Sequence, residues 1–185
     1  MQESFFKGLK VVEFASVLAG PAVGMFFAEL GAEVVKIENK TTGGDVTRGW
    51  KQATEDPASP ISAYWSSVNW GKKYLLLDLG DAADRAQALE YALAADVVIS
   101  NFKPSSARRM GFDAQTLRAQ NPQLIYAQLN AFADPEDESP AFDAVLQAEA
   151  GFLYMTGEAN RPPVKMPVAL IDILAAHQLK EAILL

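Results

Sequence analysis

Five short apolar runs, rich in β-branched residues, recur along the chain: KVVEFA (10–15), EVVKIE (33–38), YLLLDL (74–79), DVVIS (96–100) and LIYAQL (124–129). Runs of this length and composition predict strands. Between them the apolar period changes to that of a helix. PAVGMFFAEL (21–30) carries Pro21 in its first turn and meets Gly31 as a stop. DAADRAQALEYALAA (81–95) opens on Asp81 as N-cap with Asp84 three residues on, together worth about 1–2 kcal/mol through capping and the helix dipole. DAQTLRAQ (113–120) starts the same way and ends before Asn121-Pro122. Strands alternating with helices predict an α/β fold, a parallel sheet covered on both faces.

The interval 39–73 breaks the alternation. Its Gly, Pro, Ser and Thr content reads as a long excursion, a feature that compact domains reserve for functional or disordered segments. Because it holds Trp50, Trp65 and Trp70, it is expected to be ordered. VALIDILAAHQLKEAILL (168–185) reads as a helix that ends on apolar residues with no Gly or Asn cap. That edge points to the first part of a longer polypeptide, or to a second chain that covers it. No internal repeat is found.

Composition narrows the chemistry. The 185 residues suit one large domain or slightly more. A net charge of −7 argues against a nucleic-acid partner, although a local Lys/Arg pocket stays open. With no cysteine and one histidine, disulfides, thiolate catalysis, a His-rich metal site and a Ser-His-Asp triad are not expected. MQESFFKGLK makes a poor signal peptide, and no run of about 18 apolar residues is present to span a membrane. A soluble, cytoplasmic chain without metal is the expectation.

The first turn, ASVLAGPAVG (15–24), joins a strand, a helix and a second strand ending in an acid, the outline of a nucleotide-binding unit. A dinucleotide fingerprint there needs small residues for the tight turn and for close approach to the pyrophosphate. Ser16, Val17 and Leu18 stand in those places, so NAD or FAD is not expected. Backbone N–H groups and apolar side chains remain to meet a flatter ligand.

GLKVVEFASVLAGPAVGMFFAELGAEVVKIE followed by GDVTRGW resembles the opening of the family III CoA-transferases. These include formyl-CoA transferase, carnitine CoA-transferase and the related α-methylacyl-CoA racemase. VNWGKKYLLLDL, DVVISNFKPSSARRMGF, NPQLIYAQLNAF and PPVKMPVALID continue the resemblance in order. It covers nearly all of this chain and about the first half of a typical member. The resemblance implies a Rossmann-like large domain, of which residues 1–185 are the N-terminal part, with the small domain and return segment absent. It implies an interlocked homodimer, and acyl-CoA and a carboxylic acid as substrates. By the same resemblance, the backbone of Ser16, Val17, Leu18 and Ala19 lines the coenzyme A site, and Lys72 and Lys73 approach phosphates. Asn101, Phe102, Ser106, Arg109 and Met110 frame the nucleotide end.

The residue chemistry agrees with that assignment. Adenine needs an apolar platform, and phosphates need Arg or Lys donors. Ser105 and Ser106 stand where a short helix begins. The alternative reading of Lys72, Arg108 and Arg109 is solvated surface charge. Two positions depart from formyl-CoA transferase: Asn39 stands where a basic residue follows KIE, and Asn130 where a lysine follows the fifth strand.

The resemblance also implies an aspartate nucleophile, placed just before GPP in a loop after a TG pair. The corresponding stretch is TGEANRPPVK (156–165), and Asn160 occupies the nucleophile position. An amide cannot form an acyl anhydride, which leaves Glu158 as the nearest carboxylate. Asp143 and Asp172 fall where the racemase has functional acids, but Phe142 replaces the histidine beside the first. Two-base racemisation is therefore not expected. Asp143 reads equally as a helix N-terminal residue, and His177 as structural. An acyl-CoA:carboxylate CoA-transferase and a catalytically impaired CoA-binding homologue or fragment both stand.

Overall fold

The computed structural model describes residues 4–134 and 136–185. Its strands are Lys10–Phe14 (β1), Glu33–Asn39 (β2), Lys73–Leu77 (β3), Val97–Ser100 (β4) and Ile125–Gln128 (β5). Its α-helices are Ala19–Glu29 (α1), Ala63–Asn69 (α2), Ala82–Leu93 (α3), Pro104–Met110 (α4), Ala114–Gln120 (α5), Asp143–Glu149 (α6), Phe152–Met155 (α7) and Leu170–Leu184 (α8). The five strands form one parallel sheet in the order β3-β2-β1-β4-β5.

Strand alternation sorts side chains to two cores. Val12, Phe14, Val35, Ile37 and Val98 pack with Ala88 and Ala92 of α3 and Leu117 of α5. Val11, Val34, Val97 and Ile99 pack with Val23 and Phe27 of α1 and Ala176 and Ile183 of α8. The expected α/β architecture is thus present, with helices on both faces. Asp81 and Asp113 cap α3 and α5 as read, each accepting from backbone N–H groups of its own first turn.

The 39–73 excursion is ordered. It forms two short 3₁₀ turns at Lys40–Thr42 and Val46–Gly49, then α2. Of its tryptophans Trp65 is buried, whereas Trp50 and Trp70 are exposed. What orders the segment is an ion pair. Arg48 grips both oxygens of Glu38 at 2.6 and 3.0 Å and stacks over the rings of Trp65 and Tyr74. Glu38 Oε2 also accepts from the Asp45 backbone N–H at 2.7 Å. Gly44, at φ +105°, is required here, since a Cβ would strike Glu38 and Arg48.

The strand order reverses between β1 and β4. In open parallel sheets the carboxyl ends of such strands leave a crevice.

Candidate functional site

A cavity of about 410 Å³ opens at that switch point. Ser16, Val17, Leu18 and Ala19 from the turn after β1 form one wall, and Asn101 and Phe102 from the turn after β4 form another. The two turns are tied, for Asn101 Nδ2 donates to the Ser16 carbonyl at 3.4 Å. Helix α1 starts at this wall without a side-chain cap. The first residues of that helix, Ala19 and Gly20, line the crevice, and the first backbone N–H groups of a helix have no partner within it.

A second hollow, of about 320 Å³, lies at the ends of β2 and β3. It is lined by Ile37, Asn39, Ser106, Arg109 and Met110, and Phe102 lines both cavities. The apolar Ile37, Phe102 and Met110 stand beside the exposed Arg109 guanidinium, which donates to Ser106 Oγ at 3.3 Å. A flat apolar group and an anion can be held side by side there. Nine of the eleven residues read as coenzyme-binding thus line one of two adjoining cavities.

The two lysines do not. Lys72 is buried, its side chain only 1% exposed, with its ammonium 2.7 Å from Glu13 Oε2. It also donates to the Pro21 carbonyl and to Asn69 Oδ1. Gly24 of α1 leaves room for this pair, because a Cβ would land on the Glu13 carboxylate. Lys73 begins β3, at the opposite end of the sheet from the crevice, and pairs on the surface with Glu33 at 2.9 Å. Neither lysine is presented to a phosphate. One is held by a buried acid, the other points the wrong way along its strand.

The three catalytic candidates are not brought together. Asp143 is buried and its oxygens are occupied: Oδ1 accepts from the Ile171 and Asp172 backbone N–H groups at 2.7 and 3.3 Å, and Oδ2 from Gln147. It caps α8 from outside, which is a structural post. Glu158 and Asn160 lie exposed in the loop after α7 and line neither cavity. Asn160 adopts φ +64°, a left-handed conformation that Asn and Asp tolerate. Asp172 is the carboxylate of α8 that lines the crevice. Burial, with the Asp143 charge beside it, pushes its carboxyl above the ordinary aspartate value. His177 is exposed on the same helix.

Beneath the first turn lies a charged cluster that the sequence reading did not single out. Lys36 Nζ sits 2.7 Å from Glu13 Oε1 and 3.2 Å from Asp45 Oδ2, with all three side chains fully buried. Burial opposes each charge, but Lys36 and Lys72 hold Glu13 below the usual glutamate value. Glu13 and Asp45 in turn hold Lys36 above that of lysine, and Lys36 with Thr47 holds Asp45 low. The signal was present in KVVEF and EVVKIE. Glu13 and Lys36 are charges of opposite sign inside apolar strands, and they are register partners.

Comparison with known proteins places this geometry. Succinate–glutarate CoA-transferase of Agrobacterium fabrum is 37% identical over 171 residues, covering 90% of this chain and 42% of the relative. Succinyl-CoA:mesaconate CoA-transferase of Haloarcula hispanica is 37% identical over 175 residues, covering 91% and 44%. The crystal structure of Rv3272 from Mycobacterium tuberculosis superposes with a TM-score of 0.85 at 34% identity, covering 97% of this chain and 49% of that one. The chain spans less than half the length of these relatives. The family model for CoA-transferase family III matches residues 6–185, and this chain belongs to that family.

Proposed function

We propose that this chain is the coenzyme-A-binding part of a homodimeric, cytoplasmic acyl-CoA:carboxylate CoA-transferase, with residues 1–185 contributing the N-terminal portion of its large domain. The observation that carries this reading is the pair of adjoining cavities that meet at Phe102. Adenine sits in the hollow against Ile37 and Met110, phosphates meet Arg109, and the pantetheine arm runs past Phe102 into the crevice along residues 16–19. The exposed Tyr154, Met155, Ile173 and Leu174 on α7 and α8 offer the apolar face that a second copy would cover.

The chemistry is double displacement on an enzyme carboxylate. The carboxylate attacks the donor thioester carbonyl and expels CoA thiolate, leaving a mixed anhydride. The thiolate attacks the enzyme's own acyl carbon, releasing the donor acid and leaving an enzyme–CoA thioester. The acceptor carboxylate attacks that carbon in turn, and the released thiolate takes the acceptor acyl group, restoring the enzyme. In this chain Glu158 carries the carboxylate role, given a loop movement toward the crevice. A second reading, a CoA-binding homologue without transfer activity, is favoured by one observation: Asn160 occupies the position of the family nucleophile.

Incubation with succinyl-CoA, trapping with hydroxylamine and intact-mass analysis test the proposal. A hydroxamate on the enzyme supports transfer. Binding of CoA without an adduct supports the second reading.

A further inference from the structure

Val17 is a β-branched residue at φ +73°, a conformation that persists only where its surroundings over-determine it. Beneath it lies the buried Lys36–Asp45 ion pair. Its anion, Asp45, accepts the Val17 backbone N–H at 3.1 Å through Oδ2 and 3.4 Å through Oδ1. Its cation, Lys36, donates to the Ala15 carbonyl at 2.5 Å. The two charges are 3.2 Å apart. They therefore grip the backbone on either side of Ser16, the exposed residue of the crevice wall.

Both charges are themselves held. Lys36 leans on Glu13 Oε1, while Thr47 donates to Asp45 through its backbone N–H and its hydroxyl at 3.1 and 2.8 Å. Asp45 is carried into place by Glu38 and Arg48, so the long excursion reaches the turn through this one carboxylate. Five polar residues of EVVKIE and GDVTRGW, Lys36, Glu38, Asp45, Thr47 and Arg48, thereby act on a loop they do not adjoin in sequence.

We propose that the Lys36–Asp45 pair is a positioning clamp for the ligand-binding turn. It holds residues 15–17 in the strained shape that presents Ser16 and the first N–H groups of α1 to the crevice. The proposal rests on the reading that coenzyme A lies along that turn. A merely stabilising ion pair would tolerate any backbone at residue 17. A clamp would become dispensable once residue 17 no longer resists the left-handed conformation.

The test uses the full chain with Asp45→Asn, Val17→Gly and the double variant, CoA titrated by calorimetry, and amide hydrogen exchange without ligand. Asp45→Asn keeps one acceptor oxygen and removes the charge. It should weaken CoA binding by about tenfold, the loss of a charge-assisted hydrogen bond. In the Val17→Gly background the same change should cost less than about threefold, since glycine is not strained at this φ. Exchange at Val17 should accelerate in Asp45→Asn while Val98 in β4 stays protected, whereas global destabilisation would accelerate both. An equal loss of affinity in both backgrounds, or unchanged exchange at Val17, overturns the clamp. If no variant binds CoA but Val17 exchange responds as stated, the clamp stands and the ligand assignment fails. Should Asp45→Asn not fold, Val17→Gly alone decides: binding within about threefold of wild type, or tighter, supports release of clamped strain, and any larger loss overturns it.

Discussion

Lys72 Nζ lies 2.7 Å from Glu13 Oε2 in an interior where the two side chains expose 1% and 0% of their surface. The pair joins the residue just before β3 to the carboxyl-terminal half of β1, and Lys36 completes it from the other oxygen. Lys72 is therefore a folding residue, and its protonation leaves a signature. Burial, aided by the neighbouring Lys36 charge, lowers its ammonium to about 8 against the pull of Glu13. The unfolded chain keeps that proton to about pH 10.4. Between these values the unfolded state binds more protons, so this group's contribution to stability rises with pH, by at most about 1.4 kcal/mol per unit. Below about pH 8 both states are protonated and the contribution is flat. Glu13, held low, acts in acid, and Lys36, held high, acts above the window.

Urea unfolding of Lys72→Met against wild type reads this directly. The variant should lose about 3 kcal/mol at neutral pH, the low end for a broken buried pair, because Lys36 still compensates Glu13. The wild-type advantage should grow between about pH 8 and 10 and stay level between about 6 and 7.5. A level difference throughout would contradict the placement of Lys72.

Asp143→Ala should act on stability alone. It removes the acceptor for two N–H groups of α8 and leaves the buried Gln147 amide with one partner fewer. A loss of about 1–3 kcal/mol in chemical unfolding is expected. CoA affinity per folded molecule should be unchanged. A preserved midpoint with abolished transfer would return Asp143 to the catalytic list.

Arg109→Ala should behave in the opposite way. Its guanidinium is exposed and, among the described residues, bonds only to Ser106, so folding owes it little. CoA binding should weaken about ten- to hundredfold, the range for a hydrogen bond to a charged group, with an unchanged melting temperature. Equal affinity would remove Arg109 from the site.

The nucleophile is separable by three substitutions. Glu158→Gln should abolish the trapped adduct while CoA affinity stays near wild type. Asn160→Asp should raise activity, since φ +64° suits either residue and the backbone need not move. If Glu158→Gln keeps the adduct and Asp172→Asn loses it, the crevice-lining carboxylate of α8 is the nucleophile instead.

The sheet was legible because strand alternation and caps are local. β-Branched runs, Asp81 and Asp113 each announce themselves within a few residues. Arg109, Phe102 and the 16–19 turn were legible through motif likeness and fall on the cavities. Lys72 is received by the buried Glu13 and Lys73 by the surface Glu33, and a lysine in a Gly-Lys-Lys turn looks the same whether a phosphate or a glutamate receives it. Glu13 was invisible as its partner because the pairing spans 59 residues. The Asp45 grip on Val17 was hidden because a backbone N–H donor leaves no mark in the side-chain pattern.

Ligand choice decides whether coenzyme A lies along the first turn. Calorimetry of the full chain with CoA and, separately, with NAD should show saturable CoA binding that Arg109→Ala weakens, and no NAD binding, because Ser16, Val17 and Leu18 deny a pyrophosphate its close approach. NAD binding at micromolar concentration with none for CoA would contradict the account.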